Sequence, residues 1–476
     1  MCSNLLLFSL PIILSSVSAA LNIPAVAELH TTRHSTNSTL RNFTAKLQAN
    51  AYGTTFAVNV TLGGGQTFPL LVDTGSSDLW VVQNDWICVN DTSNAILPRE
   101  DCGLGPEMYH PDSTFQEVPD EFYGEIMGNG RQSGILGKED VTIGGATVKG
   151  QTIGVANVSS NPLDGTASGI FGLAYPVWTS AHPGSVLNQS NNTYDYDRVI
   201  YSPFFNSLYE EGQCEPYFSL ALERIPLGDA SGPGGYLTFG SLPPVRHSAN
   251  FSVAPVQNTP LPVNITNNKA QPSWWSVNID SVVYGPGDDS SDNLTTNSTQ
   301  FLAVVDSGNW FNFLPNNLAD LINSRFSPPA VLDPTSYPPT YKVACNASAP
   351  TLGFSIGNQT FFHDGRDLIL DMGGDSCVSS LISFAGVSYE GVQLHGGIVG
   401  ASFLKNVVAV FDFGKTEMRF AARTNSTGIS GGNSSTSTTT TPSSTSSAPG
   451  NLLTWSTKGL MLMVAMVFAF TITGSV

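Results

Sequence analysis

A mainly β fold of two similar lobes is predicted by three features of the 476-residue chain: apolar runs cut short by turn residues, abundant glycine and proline, and a motif that occurs twice. The length exceeds what one ordinary core accommodates, and a hydrophobic content of 41% is enough to bury two. Segments such as "TTFAVNVTL", "VTIGGATVKGQTIGVANV", "GYLTFG", "WWSVNIDSVVYG" and "VVAVFDFGKTEMRFA" alternate or run as strands, and their "GG" and "FGK" interruptions predict hairpins. With 46 glycines and 30 prolines there is little room for long helices. "NNLADLINSRF" (316 to 326) is among the better helical candidates.

The repeat carries the most information. "FPLLVDTGSSDLW" (68 to 80) and "FLAVVDSGNWFNF" (301 to 313) share an apolar strand, an aspartate, a hydroxyl residue and a glycine, with Asp73 and Asp306 lying 233 residues apart. Each is followed by a second signature, "GIFG" ending at Gly172 and "GIVG" ending at Gly400, at intervals of 99 and 94 residues from its aspartate. A single V-D-S-G turn arises by chance. Two matched pairs at nearly equal intervals predict two copies of one lobe.

These motifs, with "SGILG", "WWSVNIDSV", "PTLGFSIG" and "GIVGASFLKNVVAVFD", resemble the pepsin-like aspartic proteases, and among them fungal forms carried on a glycosylphosphatidylinositol anchor. The likeness runs from about Tyr52 to Ala422. It implies a bilobal fold with the cleft between the lobes, protein or peptide substrates, and no cofactor or metal. Asp73 and Asp306 are then the catalytic pair. Two carboxylates brought close cannot both ionise, so the pair holds one proton over an acidic range, as is established for aspartic proteases as a class. One member takes a proton from a water that attacks the peptide carbonyl; the other donates to the carbonyl oxygen. Gly75 and Gly308 would let backbone amides reach the carboxylates, Thr74 and Ser307 would bond across the lobes, and Ser76 would hold the outer oxygen of Asp73.

Two positions depart from that family's pattern. Asn309 stands where the second motif has a hydroxyl residue, and its amide is expected to donate to Asp306 and retune the pair. In the flap, aligning Gly134 to Gly137 puts Met127, followed by Gly128, where a tyrosine normally bonds the tryptophan of the facing strand, here Trp80; the alternative register promotes Tyr123. These departures sustain a rival reading, a pepsin-fold protein that binds peptides or glycoproteins at the cell surface with weak or no cleavage. A serine hydrolase is a poorer fit: "GFSIG" (353 to 357) matches a nucleophile pattern, but Phe354 and Ile356 alternate with small or polar residues as in a strand, and "GNQTFF" continues as a hairpin.

Composition bounds the partners. Charged residues make up 12% of the chain, with a formal charge of −18, which argues against nucleic acid and anionic lipid. A monomer is expected. An apolar run from Leu5 to Ile13, then Val17-Ser18-Ala19-Ala20, reads as a signal peptide over 1–20. Residues 21–50 read as a propeptide, 51–235 and 236–424 as the lobes, and 425–450 as a Ser/Thr-rich stalk. Small residues from Ser446 to Asn451, a polar spacer to Lys458 and about thirteen apolar residues from Leu460 to Ile472 make 451–476 fit a lipid-anchor signal better than a transmembrane helix. Secretion and surface attachment follow from those signals. About fifteen N-glycosylation sequons, including Asn59, Asn157, Asn250, Asn264 and Asn358, suit that route. Spacing suggests the disulfides Cys88–Cys102 and Cys345–Cys377, leaving Cys214 alone once Cys2 departs. His30 and His34 lack a third ligand nearby, so no metal site is expected.

Overall fold

Alternating burial explains the first strands. In β1 (Phe43–Asn50), Phe43, Ala45, Leu47 and Ala49 turn inward while Thr44, Lys46 and Gln48 face solvent. The strand pairs with β2 (Thr55–Leu62), which pairs with β3 (Gln66–Asp73), and β3 ends on the first motif aspartate. Residues 43–50, the end of the segment read as a propeptide, thus pair within the sheet, and "FTAKLQAN" has the period of two that a half-buried strand requires.

The computed structural model describes residues 40–424 except 128–129, 161–162, 185–197, 260–269, 288–292, 337, 385–387, 390–391 and 394–395. The expected signal, stalk and anchor segments, most of the expected propeptide, His30 and His34 lie outside the described residues. Those described belong to one compact unit.

In the first half, β4 (Leu79–Val89) continues from the motif and pairs with a short β5 (Ile96–Leu97). A long hairpin follows, β6 (Gln116–Met127) against β7 (Gly130–Ile143), and β7 turns through Gly144 and Gly145, both at positive φ, into β8 (Ala146–Ser159). The strand β9 (Gly169–Gly172) is "GIFG" itself. It runs parallel to β3, with Asp73 opposite Gly172, and antiparallel to β4. The short β10 (Ala181–Pro183) borders β6. A helix α1 (Phe204–Glu210) leads to β11 (Tyr217–Leu222) and β12 (Gly232–Phe239). β12 pairs with β1 and β11, so the expected lobe boundary between 235 and 236 falls inside a strand.

The second half repeats the arrangement. Strand 301–305 runs parallel to 397–399, which is "GIVG", and 312–314 lies antiparallel to it, as β3, β9 and β4 do. Strands 407–412 and 417–422, joined through "FGK", add to the edge of the first sheet beside β11. That shared sheet fuses the halves. Its aromatic filling includes Trp275, edge-on to Phe411 at 5.2 Å, and Phe218 stacked on Phe411 at 4.6 Å. The helix expected from 316 is present as Asn316–Asn323, burying Leu318, Ala319 and Ile322. "GFSIG" is a strand, 351–356, in a hairpin with 359–362, so Ser355 has no nucleophile turn. Trp310, Phe311 and Phe313 are buried as core.

Both expected disulfides are present, and Cys214 is buried as a free thiol whose burial pushes its pKa up to about 12. Cys345–Cys377 closes the longer loop, 32 residues. Replacing both cysteines with serine is expected to cost about 3–4 kcal/mol from restored unfolded-chain entropy, measurable by urea unfolding at fixed pH.

Candidate active site

Each aspartate stands at the end of an apolar strand, where the chain must turn sharply and where the parallel neighbour places a glycine. The turn after Asp73 is Thr74-Gly75-Ser76, and after Asp306 it is Ser307-Gly308-Asn309. The two turns meet back to back. Ser307 Oγ accepts from the Thr74 amide at 3.1 Å and donates to the Val72 carbonyl at 2.7 Å. In return Thr74 Oγ1 accepts from the Ser307 amide at 2.9 Å and donates to the Val305 carbonyl at 2.8 Å. All four bonds are buried and each crosses between the halves, so leaving one partner unpaired would cost about 1–3 kcal/mol.

That exchange brings the carboxyls together. Asp73 and Asp306 are 2% and 1% exposed, and their side chains are in hydrogen-bonding contact. The glycines make the approach possible: a Cβ on Gly75 would stand 2.8 Å from the Asp306 carboxyl carbon, and one on Gly308 would stand 2.6 Å from Asp73 Oδ1. Their amides orient the acids, Gly75 N donating to Asp73 Oδ1 at 2.7 Å and Gly308 N to Asp306 Oδ1 at 2.9 Å. Ser76 Oγ donates to Asp73 Oδ2 at 2.5 Å. Burial, first, and then the charge of Asp73 hold Asp306 well above the usual carboxylate range.

The two turns differ at their third residue. Where Ser76 reaches Asp73, the Asn309 side chain does not reach Asp306: its Oδ1 accepts from the Phe311 amide at 3.2 Å, and its Nδ2 has no hydrogen-bond partner among the described residues. The expected donation from that amide is therefore absent. An asparagine two residues before an amide caps the turn locally, and this bond competes with the longer reach. Of Asn309, the backbone N–H alone supports Asp306, beside the amide of Gly308.

The hairpin β6–β7 lies beside the first turn. Met127 pairs with Gly130 at its end, and Gly128 lies outside the described residues. Trp80 is fully buried against the Tyr123 ring, centroids 6.4 Å apart, while its Nε1 has no hydrogen-bond partner among the described residues. Tyr123 therefore packs on Trp80 without bonding it; its hydroxyl donates to Glu125 at 2.7 Å. Sequence reading passed over Glu125 and Asp78, both buried near the site. The signal was visible: an acid in the inward register of an apolar strand, and another in "TGSSDLW". It also missed Trp274, whose Nε1 donates to the Gly75 carbonyl at 3.1 Å from the other half.

Two buried acids from duplicated turns, oriented by glycine amides and clasped by reciprocal hydroxyl bonds, define an aspartic-type hydrolase site. The family model for eukaryotic aspartyl protease matches residues 55–423, and the chain belongs to that family. It is an aspartic-type endopeptidase. A probable aspartic-type endopeptidase of Aspergillus fumigatus is 38% identical over 400 residues, covering 81% of this chain and 82% of the relative. Rhizopuspepsin-2 of Rhizopus niveus is 27% identical over 406 residues, covering 83% and 87%. The crystal structure of an aspartic proteinase from Irpex lacteus superposes with a TM-score of 0.58 over 81% of this chain and 99% of that one; at 21% identity it attests the fold. Among the described residues no cluster of three or more His, Cys, Asp or Glu is placed to hold a metal, and no helix is long and apolar enough to cross a membrane.

Gly75→Ala is expected to lower kcat by about a hundredfold, because its methyl would displace the Asp306 carboxyl. Comparing kcat with the unfolding free energy separates this displacement from loss of fold.

Proposed function

We propose that Asp73 and Asp306 hydrolyse peptide bonds by acid–base activation of one water, at acidic pH and on the secretory route. The carrying observation is the reciprocal Thr74–Ser307 bonding that holds the two carboxyls in contact. Asp306, the acid pushed upward, keeps the proton and donates it to the substrate carbonyl oxygen. Asp73, whose carboxyl oxygens accept from Gly75 N and Ser76 Oγ, takes the proton from the attacking water. The pair then protonates the leaving amine, and no acyl-enzyme forms. The pH dependence follows in sign: the donor is lost as pH rises through the elevated Asp306 pKa, so activity falls on the alkaline side.

The targeting reading rests on the sequence signals at both ends, with substrates that are proteins or peptides and a chain that works as a monomer held to the surface by a lipid anchor. Sequon exposure supports it, since Asn59, Asn157, Asn250 and Asn358 all lie on the surface; Asn264 is outside the described residues.

Cleavage of an unfolded protein at acid pH, blocked by pepstatin, tests the catalytic reading. Asp306→Asn is expected to lower kcat by about 10²–10⁴; wild-type activity absent at every pH from about 2 to 7, with a peptide-mimic inhibitor still bound, would leave the binding-only reading in its place. Asn309→Thr tests the asymmetry of the turns. A hydroxyl donating to ionised Asp306 lowers its pKa, so the alkaline limb of the kcat profile is expected to move to lower pH.

A further inference from the structure

Beside the dyad lies a second pair of buried acids that the proposed chemistry does not use. Asp78 ends the turn that begins at Asp73 and is 0% exposed; Glu125 sits on the inner face of β6 and is 6% exposed. Glu125 is directly opposite Gln132 across the hairpin, and its Oε2 accepts both Gln132 Nε2 at 2.8 Å and the Tyr123 hydroxyl at 2.7 Å. Asp78 Oδ1 accepts the Ser180 amide at 2.9 Å and the Tyr201 hydroxyl, while Oδ2 has no hydrogen-bond partner among the described residues. Gln132 Oε1 and Trp80 Nε1 in the same cluster are likewise without one.

No lysine or arginine forms an ion pair with either acid among the described residues. Arg198 lies nearest to Asp78 in its effect, yet its guanidinium donates to the Trp178 and Thr179 carbonyls and Ser180 Oγ. Arg131, next to Gln132, turns outward to Asp91 and Asn94. His182 on β10 meets the Gly124 carbonyl through Nε2 at 2.8 Å, and Asp73 adds negative charge from the dyad side. Two buried carboxyls without a counter-ion cannot both be charged cheaply.

We propose that Asp78 and Glu125 carry a single negative charge between them, and that neutral Glu125 is a positioning residue that keeps the β6–β7 hairpin seated beside the dyad. The inference rests on the dyad reading for its link to catalysis. Burial, first, and the charge of Asp78 push Glu125 up to about 8. A carboxyl raised on folding favours the folded form most below its unfolded value near 4, and that advantage is lost as pH rises toward 8. Ionisation places a second buried charge next to Asp78, and the hairpin gives way first because Glu125 and both of its donors, Tyr123 and Gln132, lie on it.

Hydrogen exchange of the full chain, followed at amides 122–127 and 130–135 from pH 5 to pH 7 and corrected for intrinsic rates, tests the pair. Wild type is expected to lose protection by about tenfold per pH unit. Glu125→Gln keeps the neutral shape and should abolish the loss; Asp78→Asn removes the facing charge and should shrink it. Equal losses in wild type and in whichever variant folds would overturn the proposal, as would a wild-type hairpin insensitive to pH. The readout needs no turnover: a protein that shows the loss but never cleaves defeats the dyad reading alone, and one that cleaves without it defeats this one alone.

Discussion

Everything at the centre of this molecule depends on four hydrogen bonds that Thr74 and Ser307 exchange across the halves. Neither turn could hold its carboxylate beside another buried carboxylate by itself, because the repulsion would be relieved by separation. The hydroxyls remove that escape. Each satisfies a backbone amide and a backbone carbonyl of the opposite half, so separation would strand buried polar groups on both sides. The large shared sheet supplies the rest of the rigidity, with Trp275 Nε1 donating to the Leu173 carbonyl at 3.0 Å as a further tie between the halves.

From that constraint follows the asymmetry of the acids. The first turn gives Asp73 an amide and a hydroxyl, one donating to each carboxyl oxygen. The second turn gives Asp306 backbone donors only, because Asn309 is occupied with Phe311. Duplicated turns have thus diverged at one residue, and the divergence favours the proton on Asp306.

Much of this was legible in the sequence. "LVDTGSS" and "VVDSGNW", each with its following G-I-x-G at a nearly equal interval, already predict two similar lobes, and each motif strand lies parallel to its own G-I-x-G strand. The disulfides were legible from spacing. What escaped depended on side-chain direction. Nothing local says that the Asn309 amide would cap its own turn rather than reach Asp306, or that Tyr123 would lie against Trp80 yet bond Glu125. The pairing of β1 with β12 escaped as well: Phe43 lies opposite Phe239, and such long-range pairing leaves no mark on either segment alone.

The central claim is that the two halves make one acid pair sharing one proton. Titrating both side chains by carboxyl-carbon magnetic resonance, with Asp73→Asn and Asp306→Asn to assign them, addresses it directly. The account predicts an interval of acid pH in which one carboxyl is ionised while Asp306 remains protonated. Two carboxyls titrating together near the ordinary aspartate value of about 3.9 would contradict it.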